Sequence, residues 1–286
     1  MELFRALAVL AEPPGPETPR LAEVLGFGAT PSPEDYTEVF LIQLYPYASV
    51  YVGAEGQLGG DARDRIGGFW RVLGLTPPAE PDHLAALLGL YATVAERERD
   101  GPDDARRARW RRVRHALLWE HLLSWLGPYL ARVQDAGSAA YAAWAASLRA
   151  VLAEEAATLG APVALPLHLR EAPPLPPRDA CADEWLGALL APARSGMLLT
   201  RADLARGAHD LGLGLRAGER RFVLRTLLEQ DPGATLAWLA GEARAWQSRH
   251  ADAAIAGPAI GTWWASRARA TAEALEEARV EENVHA

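Results

Sequence analysis

Apolar residues return at three- and four-residue steps through most of this chain, and that spacing commits it to helices packed side by side. Between Pro81 and Arg99 the stripe is Leu84, Leu87, Leu88, Tyr91 and Val94, with Pro81 expected in the first turn. Between Asp104 and Leu126 it is Trp110, Val113, Leu117, His121 and Trp125, widened by Leu118 and Leu122, and Gly127-Pro128 is expected to end or kink that helix. Between Ala139 and Leu159 the stripe is Tyr141, Trp144, Leu148, Val151 and Leu152, on an Ala-rich background of high helix propensity. Only Tyr45 to Val52 has a strand-like composition; with no second strand to pair with, it is expected as an ordered loop.

Pro162, Pro166, Pro173, Pro174, Pro176 and Pro177 crowd one stretch, where missing N–H groups and fixed φ oppose a helix. The chain therefore divides into residues 1–160, a proline-rich linker at 161–181, and a C-terminal helical part at 182–286. In the last part helical patterns recur near 183–190, 200–211, 217–229, 232–249 and 258–279. The expected fold class is all-α, about a dozen helices, and 286 residues suffice for a core without disulfide or metal support.

Several chemistries are excluded by what is missing. All 29 basic residues are Arg, so there is no Lys for a Walker-type phosphate loop or a pyridoxal Schiff base. Cys181 is the single cysteine, which removes internal disulfides, Cys-rich zinc sites and iron–sulfur clusters held by this chain alone. His115 and His121 lie six apart, off a common helix face, and no His-Glu-x-x-His string occurs, so no metal site is expected. No Gly-x-Ser-x-Gly elbow or dinucleotide fingerprint is present, and neither an enzyme nor a cofactor is expected. The apolar run Ala6–Ala11 is too short for an export signal and lacks a basic leader, and Gly137–Leu148 is too short to span a bilayer. A cytoplasmic, reducing location is expected.

Three local patterns, in order, carry more information: Tyr45-Pro46-Tyr47-Ala48-Ser49-Val50-Tyr51, Glu80-Pro81-Asp82-His83 and Glu120-His121-Leu122-Leu123-Ser124-Trp125. Together they resemble the TorD/DmsD/NarJ family of redox-enzyme maturation chaperones over roughly Val39 to Leu159. The segment from Arg194 to Leu204 is similar to a C-terminal extension of longer members. The resemblance implies a TorD-like helical bundle, a cytoplasmic non-enzymatic role and, as partner, the apo catalytic subunit of a molybdopterin oxidoreductase, with its twin-arginine signal peptide. The implied contact residues are Tyr45, Tyr47, Ser49, Tyr51, Glu80, Asp82, His83, Glu120, His121 and Trp125.

A twin-arginine segment presents two guanidinium groups followed by apolar residues, so its receptor needs carboxylates beside an apolar surface. Glu80, Asp82 and Glu120 are the candidate carboxylates. Each residue also has a plainer reading. Glu80 and Asp82 could cap the helix that follows them. His83 and His121 could be ordinary packed histidines, and the tyrosine loop could simply pack on the core. A rival function is a helix-turn-helix nucleic-acid binder at residues 200–228, since Arg194 to Arg225 holds seven Arg against Asp203, Asp210 and Glu219. The net charge of −8 and the lack of Lys argue against it. A monomer with some dimer, exchanging segments across the linker, is expected.

Overall fold

A computed structural model describes residues 1–135, 138–252 and 257–285. The described residues form helices joined by turns and loops, with no strand; the all-α expectation holds. The helices are α1 Glu2–Val9, α2 Thr18–Val24, α3 Pro33–Tyr36, α4 Ala48–Val52, α5 Gly60–Val72, α6 Leu84–Arg99, α7 Asp104–Ala116, α8 Leu123–Asp135 and α9 Ala139–Leu159. After them come α10 Leu167–Glu171, α11 Ala182–Leu190, α12 Pro192–Ser195, α13 Arg201–Asp210, α14 Arg220–Gln230, α15 Pro232–Asp252 and α16 Gly257–His285. Wider π-helical turns at Thr37–Gln43 and Leu117–Leu122 extend α3 and join α7 to α8.

Tyr91 of α6 meets Phe4 of α1 with ring centroids 4.7 Å apart, and Arg5 ion-pairs with Glu96 across the same pair of helices. Trp144 of α9 donates its indole N–H to the Leu7 carbonyl at 3.0 Å. In the C-terminal half α15 and α16 pack along one another, and His250 sits between Trp246 and Trp264. One continuous set of buried apolar side chains runs from Phe4 through Trp125 and Trp144 to Trp264 and Leu275. Gly196 ends α12 at φ +73°, where a Cβ would run into the backbone of Ala268 in α16. Only glycine meets both demands.

Four expectations need correction. The long helix does not stop at Gly127-Pro128: α8 continues through Pro128 to Asp135. Proline removes the N–H that would bond the Ser124 carbonyl, and the indole of Trp264 supplies a substitute donor at 3.1 Å. Tyr45–Val52 is not wholly a loop, because residues 48–52 close into α4. Helix α6 starts at Leu84, not Pro81, since His83 is its cap: the His83 Nδ1 accepts the Ala85 N–H at 3.2 Å. Glu80 and Asp82 therefore do not cap it.

The linker, finally, is not free of helix. Prolines flank rather than interrupt residues 167–171, and α10 forms there with Leu169 buried. The patterns beyond residue 181 appear as α11, α13, α14, α15 and α16. Helices α13 and α14 are separated by residues 211–219, longer than the three- or four-residue turn of a helix-turn-helix. Arg206 and Arg225 in this region are engaged with Glu242 and Asp183.

Candidate functional site

The five-residue helix α4 is too short to stand alone, and its N-terminal N–H groups need acceptors. Asp82 provides two. Its backbone carbonyl accepts the Ala48 N–H at 3.0 Å, and its carboxylate accepts the Ser49 N–H at 3.2 Å. Leu84 N–H returns a bond to the Pro46 carbonyl at 2.8 Å, and Tyr47 forms an antiparallel bridge with His83. The first two motifs are thus two segments tied into one knot. Asp82 caps a helix, as its type suggests, but the helix lies upstream and across space.

Around this knot the side chains lock. The Tyr47 hydroxyl donates to Glu80 Oε2 at 2.7 Å, and its ring stands edge-on to His83 with centroids 4.8 Å apart. Burial, then the bond to Glu80, raises the Tyr47 hydroxyl well above the ordinary tyrosine range. Burial also lowers His83, against the opposing pull of Glu12, Glu80 and Asp82. A neutral His83 whose Nδ1 accepts from Ala85 cannot use that atom to donate to Glu12 Oε1, 3.5 Å away. Glu12 and Glu80 are both exposed, and among the described residues neither has an Arg within ion-pairing distance.

The third motif joins the knot through stacking. Tyr51 lies flat on Trp125, centroids 5.1 Å apart and planes 8° apart, while its hydroxyl donates to the Tyr45 carbonyl at 2.9 Å. The Trp125 indole donates to the His121 carbonyl at 2.9 Å. Ser49 is fully buried, its Oγ accepting the Gly59 N–H at 3.1 Å. His121 is covered by Phe69 on one side and His168 on the other, with ring centroids at 4.8 and 5.7 Å. Burial first, and then His168, pushes His121 down to about 3, and its Nδ1 has no hydrogen-bond partner. Glu120 Oε2 accepts the Leu167 N–H at 2.6 Å, capping α10 and pinning the linker over His121.

The ten residues singled out from the sequence therefore fall into two sets. Ser49, Tyr51, Asp82, His121 and Trp125 are buried and bonded within the chain, and Glu120 is engaged with the linker. Tyr45, Tyr47 and Glu80 reach solvent, with His83 just beneath Tyr47. Glu12, Phe69, Trp70 and His168 were not among the ten. Trp70 belongs because its indole approaches the Pro81 carbonyl at 3.4 Å. None of the four sits in a motif, and only the fold brings them in. Among the described residues no group of three or more His, Cys, Asp or Glu side chains could hold a metal ion, and no helix is long and apolar enough to cross a membrane.

Residues 19–131 match the family model described as nitrate reductase delta subunit. No curated protein matches the chain. The matched span contains all three motifs and the knot they form, but not Glu12, the linker or the C-terminal helices.

Proposed function

We propose that this chain is a maturation chaperone for a molybdopterin-dependent oxidoreductase, binding its catalytic subunit before the cofactor is inserted. The match of residues 19–131 carries this reading, because that family is one of molybdoenzyme chaperones. The proposed location is the cytoplasm, the proposed role non-catalytic, and the proposed state a monomer with some dimer. Residues 1–160 would form the chaperone part, with 182–286 as a helical extension beyond the linker at 161–181.

We further propose that the exposed end of the knot reads the guanidinium groups of a twin-arginine signal peptide. Glu12 and Glu80 support this: two exposed carboxylates without an Arg partner among the described residues, one beside His83 and the other bonded to the Tyr47 hydroxyl. Arg binds carboxylates through a fork of N–H donors and lies well on aromatic faces, whereas Lys offers a point charge. Tyr45, Tyr47, Glu80 and His83 would make this surface. Ser49, Tyr51, Asp82, Glu120, His121 and Trp125 would support its shape.

Calorimetric titration of a twin-arginine peptide against the same peptide carrying Lys-Lys tests this. Tighter binding of the Arg peptide, lost in Glu12→Gln/Glu80→Gln, is expected. Equal or absent binding removes the signal-peptide part and leaves recognition of the mature part of the client.

A further inference from the structure

Tyr45 also lines a second concave part of the surface. There a cleft of about 560 Å³ opens between the loop at residues 55–58 and the N-terminal end of α14. Arg201, Arg220 and Arg221 line it, together with Tyr45, Glu55 and Glu219. We propose that this cleft binds a phosphoryl-bearing small molecule, with Arg201, Arg220 and Arg221 as its ligands. The proposal does not depend on the signal-peptide reading, and of the residues assigned to that surface only Tyr45 also lines this cleft.

All three guanidinium groups are held by backbone carbonyls. Arg201 Nη1 donates to the Gly218 carbonyl at 2.8 Å and Arg220 Nη1 to the Leu199 carbonyl at 2.7 Å, while Arg221 Nη2 donates to the Asp183 carbonyl. These acceptors fix direction without carrying charge. Neighbouring arginines are treated differently: Arg206 is neutralised by Glu242 and Arg225 by Asp183. Among the described residues no carboxylate lies within ion-pairing distance of Arg201, Arg220 or Arg221. Each guanidinium has five N–H donors, so most remain available.

Keeping such a cluster costs free energy. Burial lowers the Arg220 pKa against the opposing pull of Tyr51 and Tyr45, and the charge of Arg201 adds to the lowering. The Arg221 Nε is buried with no acceptor. Like charges gathered in a partly dry cleft are uphill unless an anion joins them. Helix α14 adds to the attraction, because its N-cap residue Glu219 makes no side-chain cap and leaves N–H groups open at that end.

The chemical class follows from geometry and charge. Three guanidinium groups around one space suit a tetrahedral, multiply charged anion better than a flat carboxylate with two oxygens. Glu55 and Glu219, both exposed, also line the cleft and offset part of its positive charge. The cleft's size is that of a small-molecule site, and the Tyr45 ring offers an apolar wall for the rest of the ligand.

Calorimetric titration of the full chain with inorganic pyrophosphate, at constant ionic strength, tests the proposal. The expected result is one-to-one binding that weakens at least about tenfold in Arg201→Gln and in Arg220→Gln. Arg201 is exposed, so its variant keeps the test valid if Arg220→Gln fails to fold. Arg109→Gln, on the exposed face of α7, should bind as the parent does. No heat with pyrophosphate, unchanged affinity in Arg201→Gln, or malonate binding as tightly as pyrophosphate would each overturn it.

Discussion

The indole N–H of Trp264 reaches the Ser124 carbonyl at 3.1 Å, the one carbonyl in α8 that Pro128 leaves without its intrahelical donor. Residues 140 positions apart thus complete one helix. The bond ties α16 to the helix that carries Trp125 and follows directly on the π-helical turn of Glu120 and His121, so the C-terminal part supports the backbone beneath the third motif.

Trp264→Phe should destabilise the protein by about 1–3 kcal/mol, because it keeps most of the buried ring but leaves a buried acceptor unpaired. In a Pro128→Ala background residue 128 regains its N–H, the Ser124 carbonyl has an intrahelical partner, and the same substitution should cost less. A double-mutant cycle in urea measures this. Identical costs in both backgrounds would show that the indole bond does not compensate for the proline.

Asp82 is 1% exposed, and its carboxylate accepts the Ser49 N–H inside the knot. Asp82→Ala should therefore cost about 1–3 kcal/mol, more than an exposed cap, since a buried N–H loses its acceptor. Asp82→Asn keeps an oxygen there and should cost less. Equal loss from both would mean that charge, not the hydrogen bond, holds α4.

How far the sequence could be read differs from element to element. The pattern from Ala139 to Leu159 matches α9 because an uninterrupted stripe on Ala-rich background leaves no competing structure. The π-helical turn at Leu117–Leu122 was not legible, since three- and four-residue spacing persists through a single widened turn. Pro128 misled because its compensating donor is distant in sequence. The three motifs were recognisable, yet their bonding was not: Asp82 serves a helix 33 residues upstream, and Glu12 and His168 join the site through folding alone.

His121, His168 and His250, buried in the neutral form like His83, should make stability fall with acid. Burial, joined by His168, holds His121 at about 3; burial, then Arg65, holds His168 at about 4; burial holds His250 at about 4 against its bond to the Gly196 carbonyl. An unfolded histidine titrates near about 6.5, so the unfolded chain takes up these protons first as pH drops. Stability is complete above about 6.5 and is lost progressively toward about 4, with a limiting slope of about 1.4 kcal/mol per pH unit per histidine. Asp203, whose burial is outweighed by Arg132 and Thr200 so that its pKa is lowered, adds stability that is lost only as pH falls below about 3.9 and leaves this window untouched. Urea midpoints at about pH 7.5 and about pH 5 should differ clearly. A flat profile would mean that the three rings open to water.

The central claim is that this chain holds an oxidoreductase subunit before its cofactor arrives, and affinity purification of the tagged full chain from its native cell tests it most directly. The account expects a molybdopterin-dependent catalytic subunit to co-purify in near-equal amount and without its pterin, and to be depleted when Glu12→Gln/Glu80→Gln is used instead. Recovery of no such subunit, or only of the cofactor-loaded form, would contradict it.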